Sequence, residues 1–201
     1  MKVFKFNQDY IAERTKWFNH PSIYNVMYIK HPLSEDETRD WYERNKDRDD
    51  RIDFVVTDEG VTVAMCGLLG LGTQDRLAEY YLMVNPELPG KGYGFKTTVY
   101  VMNFVFSNTD TNKVFLYTNH ENDSANNLYL KVGFKLEGVL RQHRFKNGKL
   151  IDRNIFGLLK EEWVVGDCRP VHIVIPVNHD FFTVAQGRHQ TTHGHIHILH
   201  Q

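Results

Sequence analysis

Three glycines at alternate positions, Gly90, Gly92 and Gly94, lie between a predicted strand over Leu77–Val84 and a predicted helix over 95–106. Glycine allows the backbone to turn sharply and to come close to a ligand. The main-chain N–H groups of such a loop, with those of the helix's first turn, point in one direction and bind anions. The segment therefore predicts a pyrophosphate site built from main-chain donors, with a flexible turn as the alternative.

The pattern of elements around this loop excludes a Rossmann fold, because the strands before it form an antiparallel meander and not a β-α-β unit. The predicted helices lie at 8–18, 22–27, 34–45, 95–106 and 124–132, and the predicted strands at 2–6, 52–57, 61–72, 77–84, 113–118, 134–145 and 150–159. This order predicts an α+β fold with a central mixed β-sheet flanked by helices.

Charge and hydropathy exclude several classes of protein. The chain has 24 Lys and Arg against 25 Asp and Glu, without the basic excess of a nucleic-acid binder. It has no apolar run of transmembrane length, and its N-terminus lacks a signal peptide's apolar core. Its two cysteines, Cys66 and Cys168, form no disulfide framework. We expect a cytoplasmic protein with neither a nucleic-acid nor a membrane partner.

A second motif follows the loop. Residues 122–134 read Asn-Asp-Ser-Ala-Asn-Asn-Leu-Tyr-Leu-Lys-Val-Gly-Phe. Together the two segments resemble the GNAT superfamily, whose first motif is Gln/Arg-x-x-Gly-x-Gly/Ala and whose second is Asn-x-x-Ala…Leu-Tyr-x-Lys-x-Gly-Phe. Gly92 and Gly94 hold the two small positions, and Asn122 and Tyr129 the Asn and Tyr positions. The resemblance covers about residues 1–163 and implies the GNAT fold, with acetyl-CoA as the donor of an acetyl group and no required metal.

The loop and the resemblance together indicate the residues that bind the cofactor. They are Met83, Val84, Gly90, Lys91, Gly92, Tyr93, Gly94 and Asn122. Asn122 is expected to contact the cofactor arm or a bound water, although Asn at this position also fits a helix cap. Pro89 departs from the family, because the Gln or Arg found there donates a main-chain N–H to the pyrophosphate and proline has none. We expect weaker CoA binding or a slightly shifted pose.

Acetyl transfer to an amine requires a general base or a site that desolvates the ammonium, because an alkylammonium group titrates near pH 10.4, about the lysine value. Glu79 is the candidate base: strand alternation places it on one face with Tyr81 and Met83, and GNAT members often carry a carboxylate nearby. A solvated strand residue is the alternative. The resemblance places Tyr129 beside the CoA sulfur as general acid, whereas the alternative is an aromatic that packs the helix on the sheet. A main-chain N–H near Met83 or Val84 is expected to hold the thioester oxygen.

The acceptor amine is left open. Residues 17–23, Trp-Phe-Asn-His-Pro-Ser-Ile, resemble amino-sugar N-acetyltransferases, and with 139–141 and 145–149 they also resemble ribosomal-protein N-terminal and spermidine acetyltransferases. Helix packing followed by a turn explains residues 17–23 equally well. The acids at 35–37 suit a polyamine or a solvated helix start. The candidate acceptors are an amino-sugar nucleotide, a polyamine, an antibiotic and a protein N-terminus. The alternative function is a non-catalytic acyl-CoA-binding module.

The last part of the chain differs in character. We divide the chain into a GNAT domain, 1–163, and a C-terminal His-rich extension, 164–201, which holds seven of the eleven histidines. Alternating histidines at 193, 195 and 197 could bind a metal on a strand, but a dimer contact or a disordered end is the favoured interpretation. A predicted edge strand at 171–177 is compatible with a homodimer, and the oligomeric state is left open.

Overall fold

The computed structural model describes residues 1–163 of the 201-residue chain. The strands are β1 Lys2–Lys5, β2 Arg51–Asp58, β3 Val61–Leu69, β4 Leu77–Val84, β5 Lys113–Asn119, β6 Lys135–Lys146 and β7 Lys149–Leu159. The α-helices are α1 Ile11–Phe18, α2 Pro21–Tyr24, α3 Glu35–Asn45, α4 Tyr93–Asn108 and α5 Asp123–Val132, with 3-10 turns at Gln8–Tyr10 and Lys160–Glu162.

All seven strands form one sheet in the order β1-β2-β3-β4-β5-β7-β6. Every neighbouring pair is antiparallel except β4 and β5, which are parallel and are connected through α4. The predicted α+β fold with a central mixed sheet is thereby confirmed.

Helices cover the sheet on both faces, because the strands alternate apolar side chains between two cores. One core joins Val101 and Met102 of α4 and Val132 of α5 to strand residues that include Tyr80 and Leu116. The second core packs the α1 and α3 side, with Trp17, Phe18 and Trp41, against Met65 and Met83. Burial of these two apolar layers is the dominant favourable term in the stability of the domain.

The predicted capping box opens α3. The Ser34 hydroxyl accepts the Glu37 N–H at 3.2 Å, and the Glu37 carboxylate accepts the Ser34 N–H at 2.9 Å. The side chain of Lys30 also donates to Glu37, and this bond, followed by the bond from Ser34, lowers the pKa of Glu37 to about 2. Glu35 and Asp36 are exposed in the first helical turn, whereas Glu37 is half-buried and bonds to the cap and to Lys30.

Several predicted boundaries differ from the structure. The helix predicted at 8–18 starts as a 3-10 turn, and the one predicted at 22–27 is the single turn α2. Strand β3 ends at Leu69 and not at 72, since Gly70 adopts a left-handed φ of +84° and turns the chain. Helix α4 begins at Tyr93, two residues before the predicted start. Local pattern locates a helix more reliably than its first turn.

The segment at 17–23 has packing roles throughout. Trp17 and Phe18 lie in the core, 2% and 6% exposed. The Asn19 side chain exchanges two hydrogen bonds with the main chain of Leu33, at 2.7 and 2.9 Å. His20 caps α2 by accepting the Ser22 N–H. Of the two interpretations of this segment, helix packing followed by a turn describes these contacts.

The described chain ends at Trp163, whose ring lies 6.4 Å from that of Phe106 and whose Nε1–H donates to Asn103 at 2.9 Å. The predicted strand at 171–177, Cys168 and the histidine-rich segment lie outside the described residues. Among residues 1–163, no helix has the length and apolar character needed to cross a bilayer.

Candidate active site

The sheet opens between its two parallel strands. Only three residues of β4, Leu77 to Glu79, pair with β5, and the last pair joins Glu79 to Phe115. Beyond that point β4 stays paired with β3 as far as Val84, and β5 stays paired with β7 as far as Asn119. The two strands therefore diverge, and a gap bounded by main-chain groups opens at the carboxyl ends of both.

The glycine loop and the start of α4 lie at the end of β4, beside this gap. Gly92 is the N-cap residue, with a left-handed φ of +74° and no side chain to cap the helix. Within residues 1–163, the N–H groups of Tyr93, Gly94 and Phe95 have no hydrogen-bond acceptor, and the first bonded N–H is that of Lys96, to Gly92. A Cβ at Gly90 or Gly92 would meet no atom within 4 Å, so the space in front of the loop is open.

Such a cradle fits a pyrophosphate. Several unpaired N–H groups converge at the positive end of a 16-residue helix, which is a favourable place for an anion. Gly94 is needed for packing, because a Cβ there would lie 2.6 Å from Cδ1 of Leu128 in α5 and 3.3 Å from Cγ2 of Val84. Pro89 is exposed at the entrance to the loop and contributes no N–H.

The strand register distinguishes the main-chain groups of Met83 and Val84. The Asn85 N–H donates to the Val63 carbonyl at 2.9 Å, so Asn85 faces β3. N–H groups alternate in direction along a strand, hence Met83 also turns its N–H toward β3 and Val84 turns its N–H into the gap. The Met83 side chain is 1% exposed in the core beside α1. Of the two residues that the sequence proposed for the thioester oxygen, Val84 has the available donor.

Tyr129 lies on the α4 and α5 face of the sheet, 6% exposed. Its ring packs edge-on against Tyr80 and Phe134, with centroids 6.4 and 5.6 Å away, and lies 6.3 Å from Phe156. Burial raises the pKa of the Tyr129 phenol, so the hydroxyl stays protonated at neutral pH. That hydroxyl makes no hydrogen bond within residues 1–163. It is not fully buried either, so it keeps contact with solvent.

Glu79 occupies the last paired position before the gap, on the opposite face of the sheet from Tyr129. Alternation along β4 turns Ala78 and Tyr80 toward α4 and α5, and Glu79 and Tyr81 toward the α1 side, as the sequence predicted. Glu79 is half-buried and forms no ion pair within residues 1–163. The gap thus has a phenol on one side and a carboxylate on the other.

Asn122 caps α5: its side-chain oxygen accepts the Ala125 N–H at 3.2 Å. The capping role that the sequence allowed is therefore present. Its amide nitrogen makes no hydrogen bond within residues 1–163, so the side chain retains a donor. The exposed Lys91 and the half-buried Tyr93, whose hydroxyl donates to Asp58 at 3.1 Å, complete the predicted cofactor residues.

A further group of side chains borders the gap on the Glu79 face. It contains Tyr28, Tyr117, Asn119, Arg144 and Arg153. The Tyr28 hydroxyl donates to Asn119 at 2.8 Å, and the Arg153 guanidinium lies 4.8 Å from the centroid of the Tyr117 ring. Our sequence analysis did not identify these residues. One available signal was the charged Arg153 between Ile151 and Ile155 on a return strand.

Other features of the described chain lie away from the gap. A cavity of about 430 Å³ lies between α1 and α3, lined by residues that include Arg14, Phe18 and Trp41, with none from β4 or β5. No three His, Cys, Asp or Glu side chains of residues 1–163 are grouped to hold a metal ion. The predicted site residues border the gap between β4 and β5 and not this cavity.

The match to known proteins agrees with this geometry. Residues 5–135 match the acetyltransferase (GNAT) domain family. The spermidine N(1)-acetyltransferase of Escherichia coli K12 is 29% identical over 133 residues, 66% of each chain, so the match spans just under two thirds of that enzyme. The spermidine N(1)-acetyltransferase of Vibrio cholerae is 25% identical over 147 residues, 73% of this chain and 85% of the relative.

The solved structures support the same fold. A Vibrio cholerae spermidine N-acetyltransferase in complex with CoA and spermine superposes with a TM-score of 0.76 at 23% identity, covering 80% of this chain and 95% of that one. The fold and the match over residues 5–135 together define the class of protein. The chain belongs to the GNAT acetyltransferase family, and the predictions of this family and of its fold are confirmed.

Proposed function

We propose that this protein is an N-acetyltransferase that moves an acetyl group from acetyl-CoA to a primary amine. The observation that carries the proposal is the gap between β4 and β5. Tyr129 lies on one side of the gap, Glu79 lies on the other, and the uncapped start of α4 lies at its end. The donor is expected to enter from the α4 and α5 face and the amine from the Glu79 face.

Each group has a role in the transfer. Glu79 takes a proton from the acceptor ammonium, directly or through water, and so frees the lone pair that forms the new C–N bond. The Val84 N–H holds the thioester oxygen while negative charge develops on it. Tyr129 gives its proton to the sulfur as the C–S bond breaks. The nitrogen loses its second proton after the attack, and that proton returns through water to Tyr129, while Glu79 releases its own proton to solvent. The loop N–H groups bind the pyrophosphate, and acetyl-CoA supplies the acyl group as an activated thioester. The products are an amide and free CoA.

Thiol release from acetyl-CoA tests the proposal. The acceptor panel contains an amino-sugar nucleotide, an aminoglycoside, a peptide with a free N-terminus and spermidine, which the names of two relatives specify. Turnover that depends on one class of amine would support the proposal. CoA binding measured by calorimetry, together with no thiol release from any amine, would favour the alternative of a non-catalytic acyl-CoA-binding module. The missing Pro89 N–H is the one feature that favours this alternative.

The role of Glu79 has its own test. Glu79→Gln is expected to lower kcat by about 100-fold or more at pH 7, the usual contribution of a general base. The loss is expected to shrink as the pH approaches the amine's own pKa, because a growing fraction of the amine is then neutral. Glu121→Gln, at an exposed residue before α5, serves as the matched control. A uniform loss at every pH would contradict the assignment of Glu79 as base.

The exposed edge of the sheet bears on the oligomeric state of the protein. Strand β6 is an edge of the sheet, and apolar side chains along it and its hairpin are exposed, including Val139 at 41%, Phe145 at 70% and Leu150 at 56%. An exposed apolar edge of this kind favours self-association, and we propose a homodimer in the cytoplasm. Light scattering coupled to gel filtration would measure the assembly, and a monomer at micromolar concentration would contradict it.

A further inference from the structure

Three cationic side chains surround one aromatic ring on the acceptor side of the gap. The guanidinium carbons of Arg144 and Arg153 lie 5.3 and 5.2 Å from the centroid of the Tyr28 ring, and the Lys146 ammonium lies 5.2 Å from it. The cations come from β6 and β7, and the ring comes from the segment between α2 and α3. We call these four side chains the Tyr28 cluster.

The cations of the Tyr28 cluster have no ion-pair partner within the described chain. Lys146 donates to the main-chain carbonyls of Tyr24 and Met27. The Nε of Arg153 is buried without a hydrogen-bond partner. An unpaired buried donor and like charges around one ring both cost free energy, and an anion would offset both.

The cluster adjoins the position proposed for the acceptor amine. Arg153 pairs in register with Asn119 of β5, and Tyr28 donates a hydrogen bond to that same asparagine. Burial lowers the pKa of Arg153, and the charge of Glu79 acts in the opposite direction as a weaker cause, so Glu79 lies within electrostatic range of the cluster. An amine held at Glu79 would extend its other end toward Arg153 and Arg144.

We propose that the acceptor is a primary amine that carries an anionic group, a phosphate or a carboxylate, bound by the Tyr28 cluster. A guanidinium pair presents planar donor forks that match both anions. A polyamine carries only positive charge and would meet like charge at this position. The inference rests on the proposed acetyl transfer and narrows its acceptor.

Matched pairs of amines test the inference. Glucosamine 6-phosphate is compared with glucosamine, lysine with 1,5-diaminopentane, and spermidine serves as the polycation. Within at least one pair we expect the anionic member to have a kcat/KM about 10-fold or more higher, the usual effect of one charge-assisted contact. The first pair reports a phosphate and the second a carboxylate. Equal or better turnover of the neutral or cationic member in both pairs would overturn the inference.

A variant connects the preference to the cluster. Arg144→Gln is expected to reduce the anionic preference by about 10-fold, whereas Arg141→Gln, exposed on the same strand without contact to Tyr28, is expected to leave it unchanged. An unchanged preference in Arg144→Gln would remove the cluster from the explanation.

Direct binding separates this inference from the proposed activity. Calorimetry in the presence of CoA compares the affinities of the same amines without requiring turnover. Tighter binding of an anionic amine without turnover of any amine would keep the anion site and favour the acyl-CoA-binding module over the transferase. Turnover of spermidine with no binding advantage for either anionic amine would support the transferase and refute the anion site.

Discussion

Removal of the Tyr129 hydroxyl separates a catalytic role from a packing role. Tyr129→Phe keeps the ring contacts with Tyr80, Phe134 and Phe156. It breaks no hydrogen bond within residues 1–163, because the hydroxyl forms none there. The free energy of unfolding should therefore change by less than about 0.5 kcal/mol, as for a substitution that creates neither a cavity nor an unpaired group.

The effect of Tyr129→Phe on rate should be much larger. A positioned general acid contributes about 10²- to 10⁴-fold, and a tenfold change in rate corresponds to about 1.36 kcal/mol. We expect kcat to fall by about 10²- to 10⁴-fold, which corresponds to a rise of about 2.7–5.4 kcal/mol in activation free energy. The Kd for CoA should stay within about twofold. Thiol-release assays measure kcat, calorimetry measures the Kd for CoA, and urea unfolding measures the free energy of unfolding.

Tyr80→Phe is the matched control, because Tyr80 is a buried tyrosine of the same core. Its hydroxyl does have a partner, Thr98 Oγ1 at 3.2 Å, so its loss should cost about 1 kcal/mol of stability and leave kcat nearly unchanged. Unchanged kcat in Tyr129→Phe, or equal losses of kcat in both variants, would refute the reasoning and leave Tyr129 as a packing residue.

Three further predictions concern stability and cofactor affinity. Asp53 accepts two hydrogen bonds from the guanidinium of Arg51, at 2.7 and 3.0 Å, and both side chains are about 10% exposed. Asp53→Asn should therefore lower the free energy of unfolding in urea by about 3–5 kcal/mol. Asp50→Asn, in the exposed pair with Arg48, should lower it by less than about 1 kcal/mol. Pro89→Gln restores a main-chain N–H and should lower the Kd for CoA by about 10-fold. Pro86→Gln is the control. An equal Kd in both variants would show that the loop does not use this donor. Burial raises the pKa of the Cys66 thiol and of the core tyrosines. Above about pH 8.5 the unfolded chain therefore loses protons that the folded chain keeps, and the free energy of unfolding should fall by about 1.4 kcal/mol per pH unit for each such group. A Cys66→Ala variant should lose the part of this fall below about pH 10, and a flat profile for the parent protein would contradict it.

Local patterns in the sequence account for much of the fold. The alternation of β4 predicts that Glu79 shares a face with Tyr81 and Met83, and the structure agrees. Ser34 and Glu37 predict the start of α3, because a capping box satisfies orphan N–H groups a few residues away. The glycine loop predicts main-chain donors in the first turn of the following helix, and the first N–H groups of α4 have no acceptor within residues 1–163. In each case the determining interactions lie within a few residues along the chain.

The tertiary structure decided what depends on partners distant in sequence. The divergence of β4 from β5 after Glu79 follows from the pairing of each strand with its other neighbour, and that register selects the Val84 N–H over that of Met83. The Tyr28 cluster joins side chains more than 110 residues apart, so no local pattern contains it. Periodicity determines which way a side chain faces within its element, but only packing of the elements determines which side chains meet.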